Sequence, residues 1–323
     1  MKEYLELLKD VLENGVDSSD RTGTGTLSVF GRQSRYSLVN KLPAITTKKL
    51  AVKAVLHELM WIISGDSKID YLQENNVKIW DEWADDKGSV GPLYPTMWRR
   101  FEMIEQTTPH GVKKRTIDQL QNTIDLLRAE PDTRRAVVSC WHPGLLPNST
   151  LSPKENAALG KQCLPPCHTL FQFYTQVMTM EQRVENYNFT HEEPINLDLE
   201  ESQIRNALEE ANIPKRYLSC QLYQRSGDMF LGVPFNILSY SVLTYMVAKL
   251  LNFAPYEFVH SLGDAHIYSN HIDQVKKQLA RSPKDLCTLK IHNEHSNIDD
   301  FKFDDFELVN YESHAPIKAK VAV

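Results

Sequence analysis

The chain has 323 residues, 41% of them hydrophobic and 24% charged, a formal net charge of -6 and five cysteines at scattered positions. This length can bury an ample core in one large domain or two, and the composition is that of an ordinary soluble globular protein. The mildly acidic balance excludes a broad electrostatic footprint for nucleic acid but leaves room for a local cationic pocket, and no apolar run reaches transmembrane length. An odd number of cysteines speaks against a disulfide framework, and Met1-Lys2-Glu3-Tyr4-Leu5-Glu6 lacks the basic-then-apolar pattern of a signal peptide, so a cytoplasmic protein is expected.

In chain order, Leu5, Leu8, Val11 and Leu12 recur at helical spacing and Gly15 is a natural stop, which predicts an opening amphipathic helix. The stretch Asp20-Arg21-Thr22-Gly23-Thr24-Gly25-Thr26 is a glycine turn. It is either a plain hairpin or a place where amides, hydroxyls and the Arg21 fork meet an anion, and it lacks the Lys-Ser/Thr ending of a triphosphate loop. Residues 26–37 read as a strand, and residues 50–63 are apolar nearly all round, the pattern of a helix buried on most faces, ended by Gly65. Glu58 is out of place there, because an ionised carboxylate removed from water is costly; it either reaches the helix rim or is kept for chemistry. In Val77-Lys78-Ile79-Trp80-Asp81-Glu82-Trp83, two indoles three apart suit core packing or the wall of a flat ring system. After Gly88 and Gly91-Pro92 comes Tyr94-Pro95-Thr96-Met97-Trp98-Arg99. A helix is predicted over 118–129, then Arg134-Arg135 precede a strand at 136–141; such a pair is either solvated or a phosphate clamp at a pocket margin.

Two stretches, 143–162 and 178–216, have the character of inserted loops, the second with a helix at 200–211, and neither carries a chemical motif. Between them stands Cys163-Leu164-Pro165-Pro166-Cys167-His168, followed by a strand-like run to Tyr174. Paired prolines cannot continue a helix, so Cys167 arrives on a stiff approach at the mouth of a sheet. It is either a small buried hydrophobe or a nucleophile, and as a nucleophile it needs a cation or donor to favour the thiolate, with His168 and Arg225 the candidates. Cys163, Cys167 and His168 lack the second ligand pair that structural zinc requires, so no metal is expected.

A further strand at 217–223 ends in Gln224-Arg225-Ser226-Gly227-Asp228, a guanidinium, a hydroxyl and a carboxylate suited to a phosphate and a polar ring. Gly232-Val233-Pro234-Phe235-Asn236 leads into an apolar helix at 237–251, where Asn236 is either a helix cap or an amide matched to a pyrimidine edge. A strand at 258–262 precedes Gly263-Asp264-Ala265-His266-Ile267-Tyr268, strand-like runs follow at 286–291 and 306–309, and the chain ends Ala322-Val323.

Taken together these motifs closely resemble the thymidylate synthase family, nearly end to end apart from the two inserts. The resemblance implies a single α/β domain over residues 1–323, built on a large twisted mixed sheet flanked by helices and acting as a homodimer. It implies reductive methylation of dUMP to dTMP, with 5,10-methylenetetrahydrofolate as cosubstrate giving carbon and hydride and leaving as dihydrofolate. By the same resemblance, Cys167 attacks carbon 6 of uracil. Gln224, Asp228 and Asn236 hold the nucleotide, and Asn236 favours uracil over cytosine. Arg21, Arg225 and Ser226, with Arg134 and Arg135 from the partner subunit, meet the phosphate. His266 and Tyr268 bind the sugar hydroxyl, Glu58 organises proton transfers, and Tyr94 assists removal of the carbon 5 proton. Lys48, Ile79, Trp80, Trp83, Asp228 and Gly232 contact the folate, with the Val323 tail closing over it. No metal, nucleic acid or membrane is called for. The alternative is a deoxyuridylate hydroxymethylase, which shares the first half-reaction. One departure stands out: the family usually reads Tyr-Gly-x-Gln-Trp-Arg where this chain has Pro95 and Met97, which predicts a rebuilt loop at Tyr94.

Overall fold

The computed structural model describes residues 1–19, 23–108 and 111–320. Its elements are α1 (Lys2–Asn14), β1 (Val16–Ser18), β2 (Thr26–Ser37), α2 (Val52–Ser64), α3 (Asp70–Glu74), α4 (Tyr94–Arg99), β3 (Phe101–Thr108), β4 (Gly111–Ile117), α5 (Gln119–Ala129) and β5 (Val137–Ser139). They continue with α6 (Pro153–Ala158), β6 (His168–Val177), α7 (Met180–Thr190), α8 (Glu201–Glu210), β7 (Arg216–Asp228), α9 (Gly232–Leu251), β8 (Ala254–Tyr268), α10 (Ile272–Leu279), β9 (Thr288–Ile291) and β10 (Phe306–Val309).

Six strands form one mixed sheet in the order β1-β2-β8-β7-β6-β5. Neighbours are antiparallel except β7 and β8, which are parallel and joined through α9, as a crossover between parallel strands requires. Strand alternation sends Val138, Phe171, Phe173, Leu222 and Phe258 into the core and leaves Val137, Leu170, Tyr174 and Tyr223 exposed on the opposite face. Helices α9 and α2 fill the inner side. Both are apolar on nearly every face, and α9 ends at Asn252, whose left-handed backbone (φ 51) closes the helix.

Gly65 ends α2 with φ 73, and a Cβ there would lie 2.8 Å from the Cβ of Arg99, so only glycine fits both the left-handed turn and the approach of α4. Gly91 is equally constrained: with φ +70, its missing side chain makes room for the Lys161 carbonyl. The segment leading to Cys167 is pinned nearby, with Cys163 N donating to Val90 O (3.1 Å) and the Gln162 amide to Pro92 O and Cys140 O (3.2 Å each).

Several expected boundaries move. The strand expected at 217–223 runs on through Asp228, and that at 258–262 becomes β8, because pairing between β7 and β8 continues as far as Asp228 and His266. The Gln224–Asp228 and Gly263–Tyr268 motifs are therefore strand residues. Helix α9 starts at Gly232, which puts Asn236 inside the helix; its N-cap is Leu231, with no side-chain cap, so capping does not explain Asn236. The strand at 136–141 shrinks to β5. The loop expected at Tyr94 is helix α4, with Pro95 in the first turn, where a missing N–H costs nothing, and with Met97 buried. The hairpin of β3 and β4 was not foreseen. The stretch 178–216 folds as α7 and α8 around Val184, Ile195, Ile204, Leu208 and Ile213, and 143–162 contains α6.

Candidate active site

Cys167 immediately precedes β6 and is held from two sides. Its carbonyl accepts from Arg225 N (2.7 Å) and its N–H donates to the Tyr94 hydroxyl oxygen (2.9 Å). Arg225, on β7, turns its guanidinium toward the same corner, with Nη2 3.7 Å from Cys167 Sγ and 3.1 Å from Pro165 O. The stiff Pro165-Pro166 approach thus supplies carbonyls that anchor the cation beside the thiol. Burial raises the Cys167 pKa above its ordinary value; Arg225 opposes that rise and Asp264 adds to it. Of the two cation candidates, Arg225 fills the role. His168 does not, because burial pushes its imidazole down to about 4, against a hydrogen bond to Asn236 that works the other way.

Glu58 projects from α2 and accepts from Trp80 Nε1 at 2.8 Å. Desolvation pushes its carboxyl up to about 7, with the indole bond working the other way, so the group is poised between acid and base near neutrality. Trp80 lies against Trp61 (5.5 Å between rings) and edge-on to Tyr94 (6.1 Å), and Tyr94 stacks on His168 (5.0 Å). Cys167, Tyr94, His168, Asn236, Trp80 and Glu58 are therefore linked by direct contacts. Of the two indoles, Trp80 is buried and spent on Glu58, while Trp83 is half-buried and Ile79 exposed.

The turn after β7 gathers the next group. Asp228 Oδ1 accepts from Phe230 N (2.9 Å) and Leu231 N (3.1 Å), fixing the entry to α9. Lys48 donates to the Phe230 carbonyl and sits 3.5 Å above that ring; burial pushes its ammonium down to about 8, opposed by Asp228. Gly232 lies between Asp228 and Asn236, where a Cβ would be 3.8 Å from Asp228 Cβ and 4.0 Å from Asn236 Oδ1.

Sheet register brings the Gly263–Tyr268 motif alongside, with Ser226 opposite Asp264 and Asp228 opposite His266. Asp264 takes hydrogen bonds from Ser28 and Ser226 and lies 3.3 Å from His266 Nδ1. Its organising role was not read from the sequence; an acidic side chain inside an otherwise buried strand was the available signal. Tyr268 pairs with Thr26, and Ser269 N bonds Gly25 O (3.0 Å), so the glycine turn borders this end of β8. Arg21 and Val323 lie outside the described residues. Arg134 and Arg135 are exposed ahead of β5, and Arg135 pairs with Glu130 (3.0 Å). Among the described residues, no hydrogen bond or ion pair joins either arginine to Cys167, Arg225 or Ser226.

A thiol beside a fixed guanidinium, a carboxyl tuned to neutrality and a buried amide, all at one end of a mixed sheet, make this an α/β enzyme. The family model described as thymidylate synthase matches residues 2–323. The thymidylate synthase of Francisella philomiragia is 43% identical over 323 residues, covering 100% of both chains. The chain belongs to the thymidylate synthase family, methyltransferases that convert dUMP to dTMP with methylenetetrahydrofolate as cosubstrate. Among the described residues no helix is long and apolar enough to cross a membrane.

Proposed function

We propose that Cys167 is the nucleophile of the dUMP-methylating reaction, with Arg225 3.7 Å from its sulfur as the observation that carries the assignment. The thiol gives its proton to water, the thiolate that remains is favoured by the guanidinium beside it, and the sulfur lone pair adds to carbon 6 of uracil. The electrons of the 5,6 double bond move toward oxygen 4, turning an unreactive vinylic carbon 5 into an enolate nucleophile. Asn236, whose amide offers a donor and an acceptor, holds the base edge and favours uracil over cytosine. Glu58 relays protons at the ring, and Tyr94, whose hydroxyl oxygen already accepts from Cys167 N, assists removal of the carbon 5 proton by passing its own hydroxyl proton on to water as it takes that one up. Arg225 and Ser226 hold the nucleotide from β7 with the buried Gln224 behind them, Arg21 meets its phosphate, and His266 and Tyr268 bind the sugar hydroxyl.

Exposed Ile79, half-buried Trp83, the buried Lys48 and the Asp228–Gly232 turn fit a flat, polar-edged pterin, which supplies a one-carbon unit and a hydride when bound. Trp80 lends its indole edge to Glu58, and the tail at Val323 closes the site against water.

The same reading makes the chain a single catalytic domain over 1–323, decorated at 143–162 and 178–216; one hydrophobic cluster from Tyr4 to Phe306 supports it. It also makes the protein a cytoplasmic homodimer. The open sheet face, with exposed Val137, Leu170, Tyr174 and Tyr223, is the surface a second copy would cover, and exposed Arg134 and Arg135 would then reach the partner's phosphate site. Replacing Cys167 by serine tests the assignment. Turnover should fall by at least about a thousandfold while dUMP still binds. Turnover at the wild-type rate would rule Cys167 out.

A further inference from the structure

Gln224 faces the core side of β7 and is 3% exposed, so its primary amide must find its partners inside the protein. Nε2 donates to Ser226 O at 2.9 Å, a bond that arches over Arg225, and Oε1 lies 2.8 Å from Nε2 of His260 on β8. Because the amide nitrogen is committed to a carbonyl, the amide oxygen can only accept. His260 must therefore carry its proton on Nε2. It is 1% exposed, its Nδ1 has no hydrogen-bond partner, and His168 is the titratable neighbour acting on it; burial and His168 both favour the neutral ring. The Arg225 segment is thus tied at three points: Gln224 to His260, Gln224 to Ser226, and Arg225 N to Cys167 O.

We propose that His260 is a positioning residue for nucleotide binding: its Nε2–H locks the Gln224 amide, which holds the backbone on both sides of Arg225 and so aims the Arg225 and Ser226 donors. The inference rests on the reading of Arg225 and Ser226 as donors to the dUMP phosphate. Loss of the lock lets that strand segment relax by a fraction of an ångström, enough to weaken a bidentate anion contact without touching the reacting atoms.

The test uses the full chain, with dUMP affinity measured by calorimetry and steady-state turnover measured alongside. In His260→Leu, both the Kd and the KM for dUMP should rise about tenfold, with kcat within about threefold of wild type. His260→Gln should restore affinity to within about threefold, because its amide N–H reaches the same acceptor. Gln224→Leu should show the same loss, and adding His260→Leu to it should cost nothing further. Wild-type affinity in His260→Leu, equal losses in the Leu and Gln variants, or fully additive losses in the double variant would each overturn the proposal. Should His260→Leu fail to fold, the rescue comparison passes to Gln224: His260→Gln must bind dUMP as wild type does while Gln224→Leu binds it weakly, and any other pattern overturns the proposal. Arg225→Ala and Ser226→Ala separate the two levels. If both bind dUMP as wild type does, the phosphate reading itself fails; if they bind weakly and His260→Leu does not, only the role of His260 falls.

Discussion

At the scale of single residues, the site works by shifting protonation equilibria in opposite directions. Burial raises Cys167 and Glu58 and lowers His168 and Lys48, and the protein then corrects selected groups with one partner each: Arg225 for the thiol, the Trp80 indole for the carboxyl. Glu58 carries a stability consequence. Its pKa is about 7 in the folded chain against an ordinary 4.5, so the folded state binds more protons between those values and stability falls as pH rises through that window. Glu58→Gln keeps an acceptor for Trp80 but cannot ionise. It should stabilise the chain at pH 8 by on the order of 1–3 kcal/mol and by much less at pH 4, read from urea unfolding at both pH values. An equal effect at the two values would show that the carboxyl is not held near neutrality. The oddity of Glu58 was visible in the sequence because a charge on an all-apolar helix has few explanations. The choice between His168 and Arg225 was not, since it depends on which side chain burial strips of its charge.

At the scale of elements, strand and helix existence followed from periodicity, whereas lengths followed from pairing. Residues 26–37 were read at their full extent because both flanks carry turn residues. The strand from 217 was cut short at Gln224 because Arg225, Ser226, Gly227 and Asp228 look like a turn until a parallel neighbour pairs with them. The β3–β4 hairpin has no apolar alternation to announce it; its strands are held by cross-strand pairs such as Lys114–Glu102 (2.8 Å) and Lys113–Glu105 (2.6 Å). Gly65 is where local signal and tertiary need coincide. Gly65→Ala must adopt a left-handed backbone and push against Arg99, so it should lower unfolding free energy by about 1–3 kcal/mol in urea titration. An unchanged midpoint would mean that α4 does not constrain the end of α2.

At the scale of the whole molecule, the sheet divides the protein into a filled side and an open side. The candidate site sits at one end of β6, β7 and β8, while Arg134 and Arg135 stand exposed before the edge strand. If each site borrows those arginines from a second copy, an Arg135→Ala chain and a Cys167→Ser chain are each crippled, but the mixed dimer contains one whole site. Mixing the two, with subunit exchange confirmed by mass, should recover up to about a quarter of wild-type turnover. Exchange without recovery would remove the shared clamp. In the sequence the Arg134-Arg135 pair suggested such a clamp only through the family resemblance; the register of β5 and β6 adds the exposed sheet face that the proposed second copy would cover.

The central claim is that the Cys167 sulfur adds to carbon 6 of the uracil ring, and hydrogen exchange at carbon 5 reads that step most directly. Addition makes carbon 5 an enolate carbon, so dUMP labelled with deuterium at that position should lose its label to solvent in the presence of the enzyme alone. The wild-type chain should release the label, and Cys167→Ser, binding dUMP, should not. Release at the wild-type rate from the serine variant would contradict the account.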